Sequence, residues 1–183
     1  MPLVKRKKND FYPTPTWATE TLIERCPCIS GKILECASGA GDISRLLGKH
    51  FSTVSTNDID LARDADYHLD LSTKPGWLEI AERPDWTVTN PPFCYAPKMV
   101  PLAYEFSAVG IAMLLRITFL EPCNNRIGFL SEHPPTQLIV MPRISFTGDG
   151  GKDLACTAWF IWNKQHEAEN ARHSSIVIVK GQK

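Results

Sequence analysis

The chain has 183 residues, 43% hydrophobic and 22% charged, and its twenty basic and twenty acidic side chains give a formal charge of zero. That length supports one domain with a real core, and the charge balance excludes a protein held to nucleic acid by its overall field, leaving only local patches for that purpose. No apolar run reaches membrane-spanning length and the N-terminus carries no signal-type apolar core, so we expect a cytoplasmic protein with no membrane partner.

Six cysteines stand at positions 26, 28, 36, 94, 123 and 156. Cys26-Pro27-Cys28 lacks the two-residue gap of zinc and redox pairs, and the histidines do not cluster with the thiols, so we expect reduced thiols and no metal. Residues 1–9 carry Lys5, Arg6, Lys7 and Lys8 with little to bury. They read as a solvated tail, or functionally as a basic arm that touches phosphates. A single folded domain is expected over 10–183, without internal repeat or linker.

After Asp10-Phe11-Tyr12-Pro13-Thr14-Pro15, a helix is predicted from about Thr16 to Cys26, with Ala18, Leu22 and Cys26 on one face and Ile23 widening it. Pro15 and Glu20 are start signals. Lys32 to Ala37 reads as a buried strand that enters Ser38-Gly39-Ala40-Gly41 and then a helix bearing Ile43, Leu46 and Leu47. Strand, Gly-x-Gly turn and helix together bring a ligand close to backbone N–H groups. Arg45 is not placed like a phosphate-binding lysine, and the third glycine of a dinucleotide fingerprint is absent.

A second strand, Ser52 to Asn57, ends at Asp58-Ile59-Asp60, where an acidic side chain suits a ribose hydroxyl pair, Asp58 ahead of Asp60. Tyr67 to Leu71 reads as a short third strand tipped by Asp70. Trp86 to Thr89 is a strand that runs into Asn90-Pro91-Pro92-Phe93. Two prolines fix φ and remove two donors, so Asn90 is held extended on a stiff support beside an aromatic ring. A carboxamide oxygen, a carbonyl without a following N–H and a ring can hold a flat group bearing an NH₂. The plainer reading is a Pro-rich loop with Phe93 in the core.

Beyond it, residues 97–107 read as a helix interrupted by Pro101, Gly110 to Arg116 as a strand, and Phe119 to Glu132 as a helix with Phe119, Phe129 and Leu130 in the core. Gln137 to Phe146 reads as a strand broken at Pro142, Thr147 to Lys152 as a turn, Cys156 to Trp162 as a strand, and Ser175 to Val179 as an edge strand. Alternating strands and helices define an α/β fold with helices on both faces of a mostly parallel sheet. Gly39, Gly41, Asp58, Asp70 and Asn90 then fall at carboxyl ends of successive strands, where such folds bind ligands.

With these motifs the chain, from Phe11 to about Trp162, resembles the adenine-specific DNA methyltransferases that use S-adenosylmethionine, particularly the small phage and prophage type. Phe11-Tyr12-Pro13-Thr14-Pro15 is similar to the family's cofactor segment with one proline inserted, and Glu35 to Gly41 to its motif around the methionine moiety. Asn90-Pro91-Pro92-Phe93 is similar to the family's motif for exocyclic amines. Arg116-Ile117-Thr118-Phe119-Leu120-Glu121 and Ala158 to Trp162 resemble the phage branch more loosely.

The resemblance implies a Rossmann-like class I methyltransferase with a seven-stranded, mostly parallel sheet and one antiparallel strand near its end. It implies that Asn90, Pro91, Pro92 and Phe93 are catalytic, and that Phe11, Tyr12, Thr14, Glu35, Ala37, Gly39, Gly41, Asp58, Ile59, Asp70 and Asn90 contact S-adenosyl-L-methionine. Nucleic acid, DNA ahead of RNA, is the implied partner. With no segment of recognition-domain length between the motifs, either specificity is low or it falls to the basic tail, a second subunit or another partner, and a single-stranded substrate is a further alternative. The same motif occurs in enzymes for ribosomal RNA adenines and protein glutamine, and a non-catalytic S-adenosylmethionine-binding module is the remaining alternative.

Overall fold

The structure, a computed structural model, describes residues 13–144, 156–169 and 174–179. Phe11, Tyr12, the Lys5–Lys8 cluster and the turn expected at 147–152 lie outside the described residues.

Seven strands form one sheet: β1 (Lys32–Glu35), β2 (Thr53–Thr56), β3 (Trp86–Thr89), β4 (Gly110–Arg116), β5 (Gln137–Val140), β6 (Thr157–Asn163) and β7 (Ser175–Ile178). Their spatial order is β2-β1-β3-β4-β6-β5-β7. All neighbouring pairs are parallel except those made by β6, which runs antiparallel to both β4 and β5. This is the mostly parallel sheet with one reversed strand that the resemblance implied.

β3, β4 and β6 are buried over nearly their whole length, as strands covered on both faces must be. Alternate side chains feed two cores. Ile33, Ala112, Trp159 and Ile161 face one side, where Ala18 and Leu22 of α1 (Thr16–Arg25) and Ile43 and Leu47 of α2 (Asp42–His50) pack. Leu34, Ile111, Phe160 and Trp162 face the other, against Trp77 of α3 (Lys74–Leu78) and Met99, Val100 and Ala103 of α4 (Ala96–Phe106). Trp159 also donates its indole N–H to the Ala18 carbonyl at 2.8 Å, fixing α1 across the sheet.

Three expectations need correction. Tyr67 to Leu71 makes a single bridge, Asn57 to Tyr67, and is not a strand. Side chains take the place of a ladder there: Asp66 accepts from the Thr56 N–H at 2.8 Å, and the Asn57 carboxamide accepts from the Leu69 N–H and donates to the Leu69 carbonyl. The seventh strand is β7, the edge strand expected at Ser175 to Val179, at the opposite edge from β2.

The helix expected at Phe119 to Glu132 is split into a 3-10 turn (Ile117–Leu120) and α5 (Ile127–Glu132). Pro122 lacks the donor a continuous helix would need, and Arg126 instead holds the Thr118 and Glu121 carbonyls, each at 2.9 Å. Finally, β5 stops at Val140, before Pro142, and does not continue to Ile144.

α3 was not anticipated. Its signals are Thr73, whose hydroxyl caps the helix, and a proline in the first turn. A last helix, α6, spans Lys164–Glu169.

Candidate active site

The chain passes from β1 to β2 on one side and returns to β3 on the other, so the carboxyl ends of β1 and β3 flank a point where the winding reverses. Such a point leaves a crevice above the sheet. Here it holds a cleft of about 240 Å³. Of the site residues expected from the sequence, Thr14, Glu35, Ala37, Gly39, Asp58, Ile59, Asp70, Asn90 and Pro92 line it. Gly41, Pro91 and Phe93 do not.

The turn after β1 is shaped by Gly39 (φ 55°) and Gly41 (φ 77°), a left-handed backbone that suits glycine. Two carboxylates pin it. Glu35 accepts from the Ser44 N–H at 2.7 Å, capping the first turn of α2, whose N-cap, Gly41, has no side chain to do so. Asp58 accepts from the Gly39 N–H at 2.7 Å and from the Asp60 N–H at 2.9 Å, locking the ends of β1 and β2 together. Asp58 thus shapes the loop as well as presenting a carboxylate to the cleft.

Glu35 is 1% exposed, and burial pushes its carboxyl up to about 8, outweighing the Ser44 bonds that act in the opposite direction. Asp70 accepts from both the N–H and the hydroxyl of Ser72, at 3.0 and 2.6 Å, which turns the loop back toward α3. Ser38 also lines the cleft, and its buried hydroxyl has no hydrogen-bond partner among the described residues.

At the end of β3, Asn90 donates its side-chain N–H to the Thr14 hydroxyl at 3.0 Å. The Pro92 carbonyl accepts from the N–H groups of Tyr95 and Ala96 at 2.9 and 3.1 Å and so starts α4. Among the described residues no backbone hydrogen bond reaches the Pro91 carbonyl.

Phe93 packs half-buried against the core that α1 and α2 cover, and the Arg116 guanidinium lies over its ring, 4.9 Å from the centroid. The plainer sequence reading, Phe93 as a packing residue, therefore describes its position better than an open ring would. Among the described residues, the aromatic side chain lining the cleft is the half-exposed Tyr95.

Several lining residues escaped the sequence reading: Asn57, Arg63, Leu69, Leu71, Ser72, Tyr95 and Met99. For Asn57 a signal existed, since a polar residue precedes Asp58 at the end of a strand. It is 1% exposed and also donates to the Cys36 carbonyl at 3.1 Å.

Together, Asp42, Asp58, Asp60 and Asp70 give the cleft an acidic lining, with Arg63 as a cation among them, while burial favours the protonated form of Glu35 beside them. Arg63 lies 3.6 Å from Asp60. Among the described residues, no three His, Cys, Asp or Glu side chains come together to hold a metal ion, and no helix is long and apolar enough to cross a membrane.

No protein-family model and no curated protein sequence matches the chain. Solved structures do. A modification subunit of a type I restriction enzyme from Vibrio vulnificus superposes with a TM-score of 0.66 at 12% identity, over 94% of this chain and 48% of that one. An RNA methyltransferase from Pyrococcus horikoshii gives 0.63 at 17% identity, over 88% and 92%. A class I S-adenosylmethionine-dependent methyltransferase from Listeria monocytogenes gives 0.60 at 11%, over 91% and 63%. All three carry provisional functional assignments. The chain spans about half the length of the Vibrio subunit. The fold is that of the class I methyltransferases.

Proposed function

We propose that this protein is an S-adenosylmethionine-dependent methyltransferase acting on the exocyclic N6 amine of adenine in nucleic acid, with DNA ahead of RNA. The observation that carries the reading is that Asn90 and Pro92, from a rigid Asn-Pro-Pro-Phe segment, line the same acidic cleft as the glycine turn of β1.

The residues present fit the cofactor by their chemistry. An acidic lining attracts a ligand bearing sulfonium and ammonium charges. Asp58 suits the ribose hydroxyls, Asp70 the adenine side, and the buried Ser38 hydroxyl gains a partner from any polar group placed in the turn. When bound, S-adenosylmethionine supplies an electrophilic methyl group on sulfur.

The chain's own residues position the nucleophile. The Asn90 side-chain oxygen and the Pro91 carbonyl accept the two amine hydrogens, which orients the nitrogen lone pair into the cleft. Alignment of this kind is the main contribution, and no strong general base is needed, since the methylated nitrogen loses its proton readily. A duplex target must first release its base from the stack. Lys5, Arg6, Lys7 and Lys8 add phosphate contacts.

The test is transfer of labelled methyl to duplex DNA, single-stranded DNA and ribosomal RNA, followed by nucleoside mass spectrometry, with Asn90→Ala as control. N6-methyladenine in DNA, absent with the variant, is expected. Intact cofactor binding with no methylation of any pool would sink the nucleobase reading.

A further inference from the structure

Cys26 and Cys28 do not line the cleft and take no part in the chemistry above. Cys26 is the C-cap of α1, where its N–H bonds to the Leu22 carbonyl, and Cys28 sits in the turn that leads to β1. Their sulfurs are 3.1 Å apart. Cys26 is buried at 2% exposure while Cys28 is exposed. The one-residue spacing argued against a redox pair, but the C-cap turn at Pro27 folds the two side chains onto each other.

We infer that Cys26 and Cys28 form an oxidisable dithiol, a modification site that takes up a disulfide by exchange with a small-molecule disulfide such as oxidised glutathione. The division of labour follows from the geometry. Cys28 is the sulfur an external reagent can reach, and the buried Cys26 is already in contact with it to resolve the adduct.

The environment reinforces that division. The bond from the Cys26 thiol, then the Asn163 side chain, draws the Cys28 thiol down to about 7 against the effect of burial. The same contact, together with burial, pushes Cys26 up, so that it keeps the shared proton. Thiolate character is what makes a cysteine the attacking group.

In the first step the Cys28 thiolate attacks one sulfur of oxidised glutathione. A Cys28–glutathione bond forms, the glutathione S–S bond breaks, and one glutathione thiolate leaves. Cys26 then attacks the Cys28 sulfur. The Cys26–Cys28 bond forms, the second glutathione departs, and the Cys26 proton goes to it. Two electrons pass from the protein to the glutathione disulfide, and nothing else is consumed.

The experiment uses the full chain with Cys94, Cys123 and Cys156 replaced by Ser, because those thiols are also exposed. After incubation with oxidised glutathione, intact mass should fall by about 2 Da, with the new bond mapped to Cys26 and Cys28. Adding C26S should instead leave one glutathione on Cys28, and adding C28S should leave the protein unmodified. Retention of glutathione while Cys26 is present, or equal modification of the C28S protein, would overturn the inference. Circular dichroism of each variant identifies any that fails to fold. Cys28 is exposed, so C28S decides the matter even if C26S does not survive.

Discussion

The Asn90 carboxamide donates to the Thr14 hydroxyl at 3.0 Å, joining residues 76 positions apart in the sequence. Proline stiffness fixes the Asn90 backbone, and this partner on the segment before α1 helps to fix which way its amide points. Thr14→Val removes the acceptor and keeps the shape. A hydrogen bond of this kind is worth about 1 kcal/mol, so single-turnover methyl transfer should fall several-fold. Thr14→Ser should recover most of the rate. If transfer and cofactor affinity fall together and serine restores neither, Thr14 is a packing residue.

Glu35 couples the cleft to pH. Its carboxyl is raised from the ordinary glutamate value, about 4.3, to about 8 by burial. The folded chain therefore keeps a proton that the unfolded chain has lost across that window. Stability from this group is fully present below about pH 4.3 and is lost as pH rises toward 8. Glu35→Gln keeps an acceptor for the Ser44 N–H but cannot titrate. Urea midpoints measured from pH 5 to pH 8 should decline more steeply for the parent protein than for the variant. Parallel curves would show that Glu35 titrates normally.

Gly76, in the short α3, leaves no room for a side chain. A Cβ there would collide with the Asp70 carbonyl oxygen and lie 2.8 Å from its carbon. Both are backbone atoms, so the loop that carries Asp70 must move. Gly76→Ala should destabilise the protein by about 1–3 kcal/mol in urea denaturation and weaken cofactor binding. Unchanged stability would mean that α3 shifts freely away from the loop.

Arg116 tests the substrate side. Its guanidinium lies over Phe93, at the end of β4 beside the Asn90 segment. Arg116→Ala should raise the KM for nucleic acid and lower the salt slope of binding by about one, with cofactor affinity unchanged. A loss of cofactor binding of the same size would assign Arg116 to the scaffold instead.

What the sequence determined by itself is local. Gly110 to Arg116 was legible because a strand buried on both faces reads as a nearly continuous apolar run, and Trp86 to Thr89 because aromatic and β-branched residues favour strands. The glycine turn and the Asn-Pro-Pro segment were legible because their backbone geometry is written in residues with few conformations to choose from.

The tertiary structure decided everything that depends on partners distant in the chain. Asn57 and Asp66 satisfy backbone groups with side chains and so dissolve the expected strand at Tyr67, a competition periodicity cannot register. Arg126 does the same to the expected helix after Phe119. Phe93 lies beneath Arg116 while Tyr95 lines the cleft, because the turn at Pro92 sets which way each ring leaves the backbone. Two sulfurs at a spacing that looked idle meet because the chain turns directly after the helix that Cys26 caps. Spacing specifies which residues can share a face, whereas contact depends on the competition for every buried donor and acceptor around them.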